Sequence, residues 1–153
     1  EERDREQQRN LSLKEGLIRR VERLAASSQL RDDKAEVIEI QREWRQIGHV
    51  PREESERVHQ EFREACDSFF DALNQETIDR LDARIAKQEE FIDKLRTSNT
   101  QAEEFISKLE DFKNPPWDKI EDVRGQISER ESKISEVEDQ IEDMRAKVRD
   151  LQR

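Results

Sequence analysis

Few side chains in this sequence have the type and spacing to do chemistry. Cys66 is the single cysteine, and His49 and His59 are the only histidines. A catalytic thiol needs a cationic or dipolar setting that favours the thiolate. Cys66 stands beside Ala65 and close to Phe69 and Phe70, a setting that predicts a packed core thiol. The histidines have no second cysteine or spaced histidine pair with which to hold zinc. Asp and Glu number 39, but 29 Lys and Arg are interleaved with them. Such mixed pairs at three- and four-residue spacing are what exposed helices carry, so no two carboxylates stand out as an acid–base pair. Three glycines provide no loop that could cradle a phosphate. No catalytic residue, metal site or cofactor is expected, and the protein is read as not an enzyme.

The arginines form the one constellation with binding chemistry. Arg42, Arg45, His49 and Arg52 gather at the end of one predicted helix and its turn, while Arg19, Arg20 and Arg23 lie on the helix before it. Brought together by folding, they would form a local phosphate or partner contact. Glu22, Glu39 and Glu43 are interleaved with them, so a solvated mixed-charge face is the expectation preferred here. Trp44 lies between Ile40 and Ile47 on an apolar stripe and is expected to anchor a core.

The elements that must position these residues follow from composition and period. Of 153 residues, 44% are charged and 31% hydrophobic. A compact domain normally has close to half its residues apolar, so one large core is excluded. Disorder would show no hydrophobic period. A helical period is present, so long exposed helices are expected. The net charge is −10: residues 1–73 carry 14 basic and 18 acidic side chains, and residues 74–153 carry 15 and 21. That distribution argues against a basic, whole-surface nucleic-acid binder. One cysteine excludes an internal disulfide and fits a reducing compartment, so a cytoplasmic location is expected. No apolar run approaches the ~20 residues of a membrane span, and no membrane association is expected. The chain begins Glu1-Glu2-Arg3 without Met, as a piece of a longer protein would.

Helix one is predicted over about 4–26, with Leu13, Leu17, Ile18, Val21, Leu24 and Ala25 at helical spacing. Its polar start is expected to be solvent-bathed or frayed. Helix two is predicted over about 32–47, with Asp32 or Asp33 as N-cap and a stripe of Val37, Ile40, Trp44 and Ile47. Gly48 suits a left-handed C-terminal cap, with Pro51 following. Helix three is predicted to start near 51–55 and to bury Val58, Phe62, Ala65, Cys66, Phe69, Phe70 and Leu73. The expectation for 1–73 is a three-helix bundle.

No helix breaker occurs between Ser55 and Lys113, so helix three is predicted to continue as a rod. Its core positions become a heptad: Ile78, Leu81, Ile85, Gln88, Ile92, Leu95, Asn99, Ala102, Ile106 and Leu109. The segment Glu89–Leu95 resembles Glu103–Leu109 at an offset of 14 residues, two heptads. Pro115-Pro116 ends the helix, and a fourth starts near Trp117. Its heptad runs Ile120, Ile127, Ile134, Ile141 and Val148, with Val123, Arg130, Val137, Met144 and Leu151 between. Residues 74–153 are thus expected to form an antiparallel coiled-coil hairpin turning at 113–117. Centring the turn between Asn114 and Pro115 sets Phe112 against Trp117, Leu95 against Ile134 and Asn99 against Arg130. The all-α architecture expected is a three-helix bundle whose third helix extends into that hairpin.

Residues 14–70 also carry a family pattern. It comprises Lys14, Leu17-Ile18, Leu24-Ala25, Gln41, Trp44, Ile47-Gly48, Val50-Pro51-Arg52, Ser55, Phe62-Arg63, Ala65-Cys66-Asp67 and Phe69-Phe70. This stretch resembles a bacterial repeat family catalogued as domain of unknown function 349, most specifically over Trp44 to Arg52. The family pattern often has a bulky aromatic where this chain has His59. The resemblance implies tandem repeats that can be followed by a coiled-coil tail, so the chain would be a last repeat plus its tail. It implies nothing about activity. The leading expectation is a scaffold or interaction module that docks protein partners and neighbouring repeats. The alternative is a nucleic-acid- or ribosome-associated protein using the arginines, and a third is a regulatory subunit acting on an enzyme.

Overall fold

The computed structural model describes residues 1–153. The chain is all-helical, 88% of it in four α-helices, with no strand. The helices are α1 (Glu2–Ala25), α2 (Leu30–Gln46), α3 (Arg52–Glu110) and α4 (Trp117–Leu151). None is long and apolar enough to cross a membrane. The chain divides into two compact units, Glu1–Thr77 and Ile78–Arg153.

In the first unit, the stripes of α1, α2 and the start of α3 meet in one core. Val21, Val37, Ile40, Val58 and Phe69 are wholly shielded from solvent. Phe62 and Phe70 pack half-buried at its margin. The polar start of α1 is exposed yet helical from Glu2.

Two capping expectations are corrected. Neither Asp32 nor Asp33 caps α2: the helix starts at Leu30, and its N-cap, Gln29, makes no side-chain cap bond. Leu30 is buried in the core, and its burial carries the helix start two residues earlier than the polar signals suggest. Ser27 Oγ accepts the Gln29 N–H at 2.9 Å instead. The two aspartates fall in the first turn, where carboxylates suit the helix dipole.

Gly48 is not left-handed, for no glycine has a positive φ. The C-cap of α2 is Ile47, in extended conformation. What Gly48 supplies is room. A Cβ there would stand 3.1 Å from Asn10 Nδ2, which donates to the His49 carbonyl at 2.7 Å. Pro51 precedes α3, and its carbonyl accepts the Glu54 N–H at 2.9 Å.

In the second unit, the apolar heptads of α3 and α4 pack in two clusters. Ile78, Leu81, Ile85 and Ile92 meet Ile134, Val137, Ile141, Met144 and Val148, with Leu95 and Leu151 at the margin. Ile106 and Leu109 meet Ile120, Val123 and Ile127, with Ala102 beside them. Surface ion pairs join Glu110 to Arg124 at 3.0 Å, Arg96 to Glu138 at 3.2 Å, and Glu89 to Arg145. Partner numbers rise along α4 as they fall along α3.

Between the helices, the Trp117 N–H reaches the Pro115 carbonyl and the Ile120 N–H reaches the Pro116 carbonyl, each at 3.0 Å. Phe112 and Trp117 do not close the end of the seam: they are 56% and 55% exposed. Because α3 ends at Glu110, Phe112 lies outside the heptad phase, and no α3 side chain remains opposite Trp117.

Candidate interaction sites

Trp44 is the centre of the first unit's aromatic cluster. It is 7% exposed, and its ring stacks on Phe62 with centroids 3.9 Å apart and planes 5° from parallel. His59 meets it edge-on at 5.8 Å, so the histidine takes an aromatic packing role although exposed. His59 Nδ1 lies 2.6 Å from the Ser55 carbonyl. A carbonyl only accepts, so Nδ1 carries the proton, and in the neutral ring Nε2 is left as an acceptor.

Lys14 Nζ sits 4.7 Å above the Trp44 ring centroid, within cation–π range. Lys14 is buried, and that burial pushes its ammonium pKa down. Lys14, Gly48, His49, Ser55 and His59 share one shallow depression with Ile47. The apolar period singles out Trp44, whereas Lys14 enters the sequence reading only through the family pattern and not as a partner of that ring. Its signal was a cation on the apolar side of α1, one turn before Leu17 and Ile18.

Arg57 is a second residue the sequence did not single out. It donates to Glu54 at 2.5 Å and Glu61 at 3.2 Å on its own helix, and to Glu15 of α1 at 3.4 Å. The hydrogen bond to Glu54 leads in holding the guanidinium pKa above its usual value, with Glu61 adding to it. The pair with Glu15 ties α3 to α1 at the surface, where such pairs contribute little individually.

The structure brings together only part of the arginine constellation. Arg19, Arg20 and Arg23 line one groove of α1 with Glu43 of α2. Arg20 is bound to carboxylates, reaching Glu36 at 3.3 Å and Glu43 at 3.5 Å. Arg42 pairs with Glu39 at 2.8 Å. Arg19, Arg23, Arg45 and Arg52 are exposed, and Arg45 and Arg52 do not join that groove.

Cys66 is buried as a free thiol in the core. Burial pushes its pKa up; a hydrogen bond with Gln41 draws it down, and the Asp67 charge raises it further. In the second unit, Asn99 is buried and accepts from Arg130 Nη1 at 3.2 Å. Four large aromatics stay exposed there: Phe91, Phe105, Phe112 and Trp117.

Comparison with known proteins adds one match. Residues 1–53 match the family model described as Domain of Unknown Function (DUF349). The match includes Lys14, Trp44, Gly48 and Pro51, and it stops short of Phe62 and the Phe69-Phe70 pair that the sequence resemblance also included. No curated protein and no solved structure matches the chain. The similarity to the family described as Domain of Unknown Function (DUF349) is thus confined to residues 1–53 of the chain.

Proposed function

We propose that the protein is a non-catalytic helical interaction module of the cytoplasm. Residues 1–73 act as a three-helix repeat domain that docks against neighbouring repeats of its parent. Residues 74–153 act as an antiparallel coiled-coil hairpin that docks protein partners. The observation that carries this reading is the apolar surface left on otherwise charged helices. Leu13 and Ile38 are 56% and 41% exposed in the first unit, and Phe91 and Phe105 are exposed in the second. Exposed apolar side chains mark interaction sites where they gather into a patch, and these are the residues from which this chain would build one.

Two experiments test the reading. For the hairpin, Leu95→Cys and Ile134→Cys in a Cys66→Ser background are expected to crosslink within one chain. Crosslinking only between chains, or only in a pairing one heptad away, overturns it. For docking, affinity capture compares the protein with Leu13→Ser/Ile38→Ser and Phe91→Ser/Phe105→Ser variants that keep full helicity. Partners held by the parent sequence and lost by a variant are expected, and identical retention removes the reading.

A second reading, association with nucleic acid or the ribosome, is favoured by the exposure of Arg19, Arg23, Arg45 and Arg52. It requires RNA binding that weakens steeply with salt and vanishes in Arg42→Glu/Arg45→Glu/Arg52→Glu. Under the interaction-module reading that variant folds normally, and neither protein binds RNA appreciably.

A further inference from the structure

The seam between α3 and α4 has two unlike flanks. On one, Glu89, Arg96 and Glu110 of α3 each form an ion pair with α4. Each of these residues directly follows a seam position (Gln88, Leu95 or Leu109). On the other flank lie Phe91 and Phe105, which directly precede the seam residues Ile92 and Ile106 and are 38% and 43% exposed. Two heptads separate them, so they share one side of α3, about 21 Å apart along its axis.

At three- and four-residue spacing the charged neighbours of these rings are basic, while Glu90 and Glu104 directly precede them in sequence. Lys87 and Lys94 neighbour Phe91 on the helix surface, and Lys108 neighbours Phe105. No acid stands three or four residues from either ring. Across the seam, the residues directly before Ile120 and Ile134 are Lys119 and Lys133. All five lysines are exposed. Lys94 reaches Glu90 at 3.7 Å and Lys133 reaches Glu136 at 3.6 Å, loose contacts on the helix surface. In a chain of net charge −10, the aromatic row thus has lysines as its nearest charged neighbours across the helix surface and across the seam.

We propose that this flank docks an acidic amphipathic helix of another protein, its apolar residues covering Phe91 and Phe105 and its carboxylates meeting the flanking lysines. The inference deepens the interaction-module reading and rests on the antiparallel hairpin.

Spacing selects a helix as the occupant. A partner helix with a heptad repeat returns its apolar side to the same face every seven residues, and so matches rings two heptads apart. Single-stranded nucleic acid stacks successive bases on neighbouring aromatics, and rings about 21 Å apart do not form such a platform. Charge selects against a second copy of this chain. Stacking α3 on the α3 of another copy across a two-fold axis sets Lys87, Lys94 and Lys108 against their own equivalents. Stacking α3 on the α4 of another copy leaves the aromatic rows facing Lys119 and Lys133.

The test uses a labelled synthetic peptide of about four heptads, with Leu at the seam positions and Glu beside them. A peptide with Lys in place of Glu is the control, and polyuridylate is the nucleic-acid probe. The acidic peptide is expected to bind saturably and to weaken with salt. Its affinity should fall by about tenfold or more in Phe91→Ser/Phe105→Ser and in Lys87→Glu/Lys94→Glu/Lys108→Glu, with helicity unchanged. Equal binding by these variants, preference for the Lys peptide or for polyuridylate, or a homodimer that Phe91→Ser/Phe105→Ser dissociates each overturns the proposal. The intrachain 95–134 crosslink is scored in parallel. Its retention without peptide binding removes the docking proposal alone, whereas its loss removes the hairpin beneath it.

Discussion

Arg130 Nη1 donates to Asn99 Oδ1 at 3.2 Å, at the break between the two apolar clusters of the second unit. The pair forms a polar layer in a seam whose other positions, Gln88 apart, are apolar. Asn99→Leu alone leaves the guanidinium facing carbon, and Arg130→Leu alone leaves a buried amide without its donor. Either change is expected to cost about 1–3 kcal/mol. Replacing both by Leu is expected to recover that loss and add stability, because the layer then packs as its neighbours do. Thermal unfolding of the four proteins gives the coupling energy. The double variant is also expected to relax register, so the 95–134 crosslink should be joined by pairings one heptad away. A double variant less stable than both singles would show that the layer contributes more than register.

Trp44 is expected to be the largest single contributor among the aromatics of the first unit. Its burial and its stack on Phe62 place Trp44→Ala in the range of about 3–5 kcal/mol destabilisation. Trp44→Phe, which keeps a ring against Phe62, is expected to lose less. Urea unfolding of the full chain, followed by circular dichroism, distinguishes the two. An unchanged midpoint in Trp44→Ala would make this residue a surface contact.

Lys14 is expected to destabilise the fold slightly at neutral pH. Burial pushes its ammonium below the ordinary value of 10.5, so contact with the Trp44 ring does not fully replace lost hydration. Between the lowered value and 10.5, the unfolded chain binds more protons at this site than the folded one. Its contribution to stability therefore rises with pH through that window. Lys14→Met keeps the stem over the ring and removes the charge. Its stability at pH 7 is expected to match or exceed that of the parent, within about 1 kcal/mol, and the rise with alkaline pH should flatten. A clear loss at pH 7 would show that the cation–π contact dominates.

The Cys66 thiol is expected to be inert in the folded chain. Burial leads in raising its pKa, so the thiolate fraction and the access of reagent fall together. Reaction with a disulfide reagent at pH 8 should be slower by about tenfold or more than in denaturant. The same shift has a stability consequence. The unfolded thiol loses its proton first, so the stabilisation present below the unfolded pKa is lost as pH rises through the folded value. Fast reaction in native buffer would contradict the burial.

Periodicity carried most of the helical organisation, because an apolar face repeats every three or four residues whatever it packs against. The stripes around Val37, Ile40 and Trp44 and the heptads from Ile78 to Leu109 and from Ile120 to Leu151 were therefore legible as sequence. So was the Asn99–Arg130 layer, since two polar residues at seam positions on helices joined by a short turn have each other as partners. The start of α2, the conformation of Gly48 and the exposure of Phe112 and Trp117 were not legible. They depend on where Leu30 finds core, on whether Asn10 crosses to the His49 carbonyl, and on where α3 stops. Contacts between residues far apart in the chain decide the first two, and the end of α3 at Glu110, ahead of the Pro115-Pro116 turn, decides the third. Tertiary structure alone also placed Lys14 over Trp44, drew Arg20 of α1 to Glu36 and Glu43 of α2, and left Phe91 and Phe105 uncovered. Local spacing states which side of a helix a residue occupies, but only packing decides whether that side is covered.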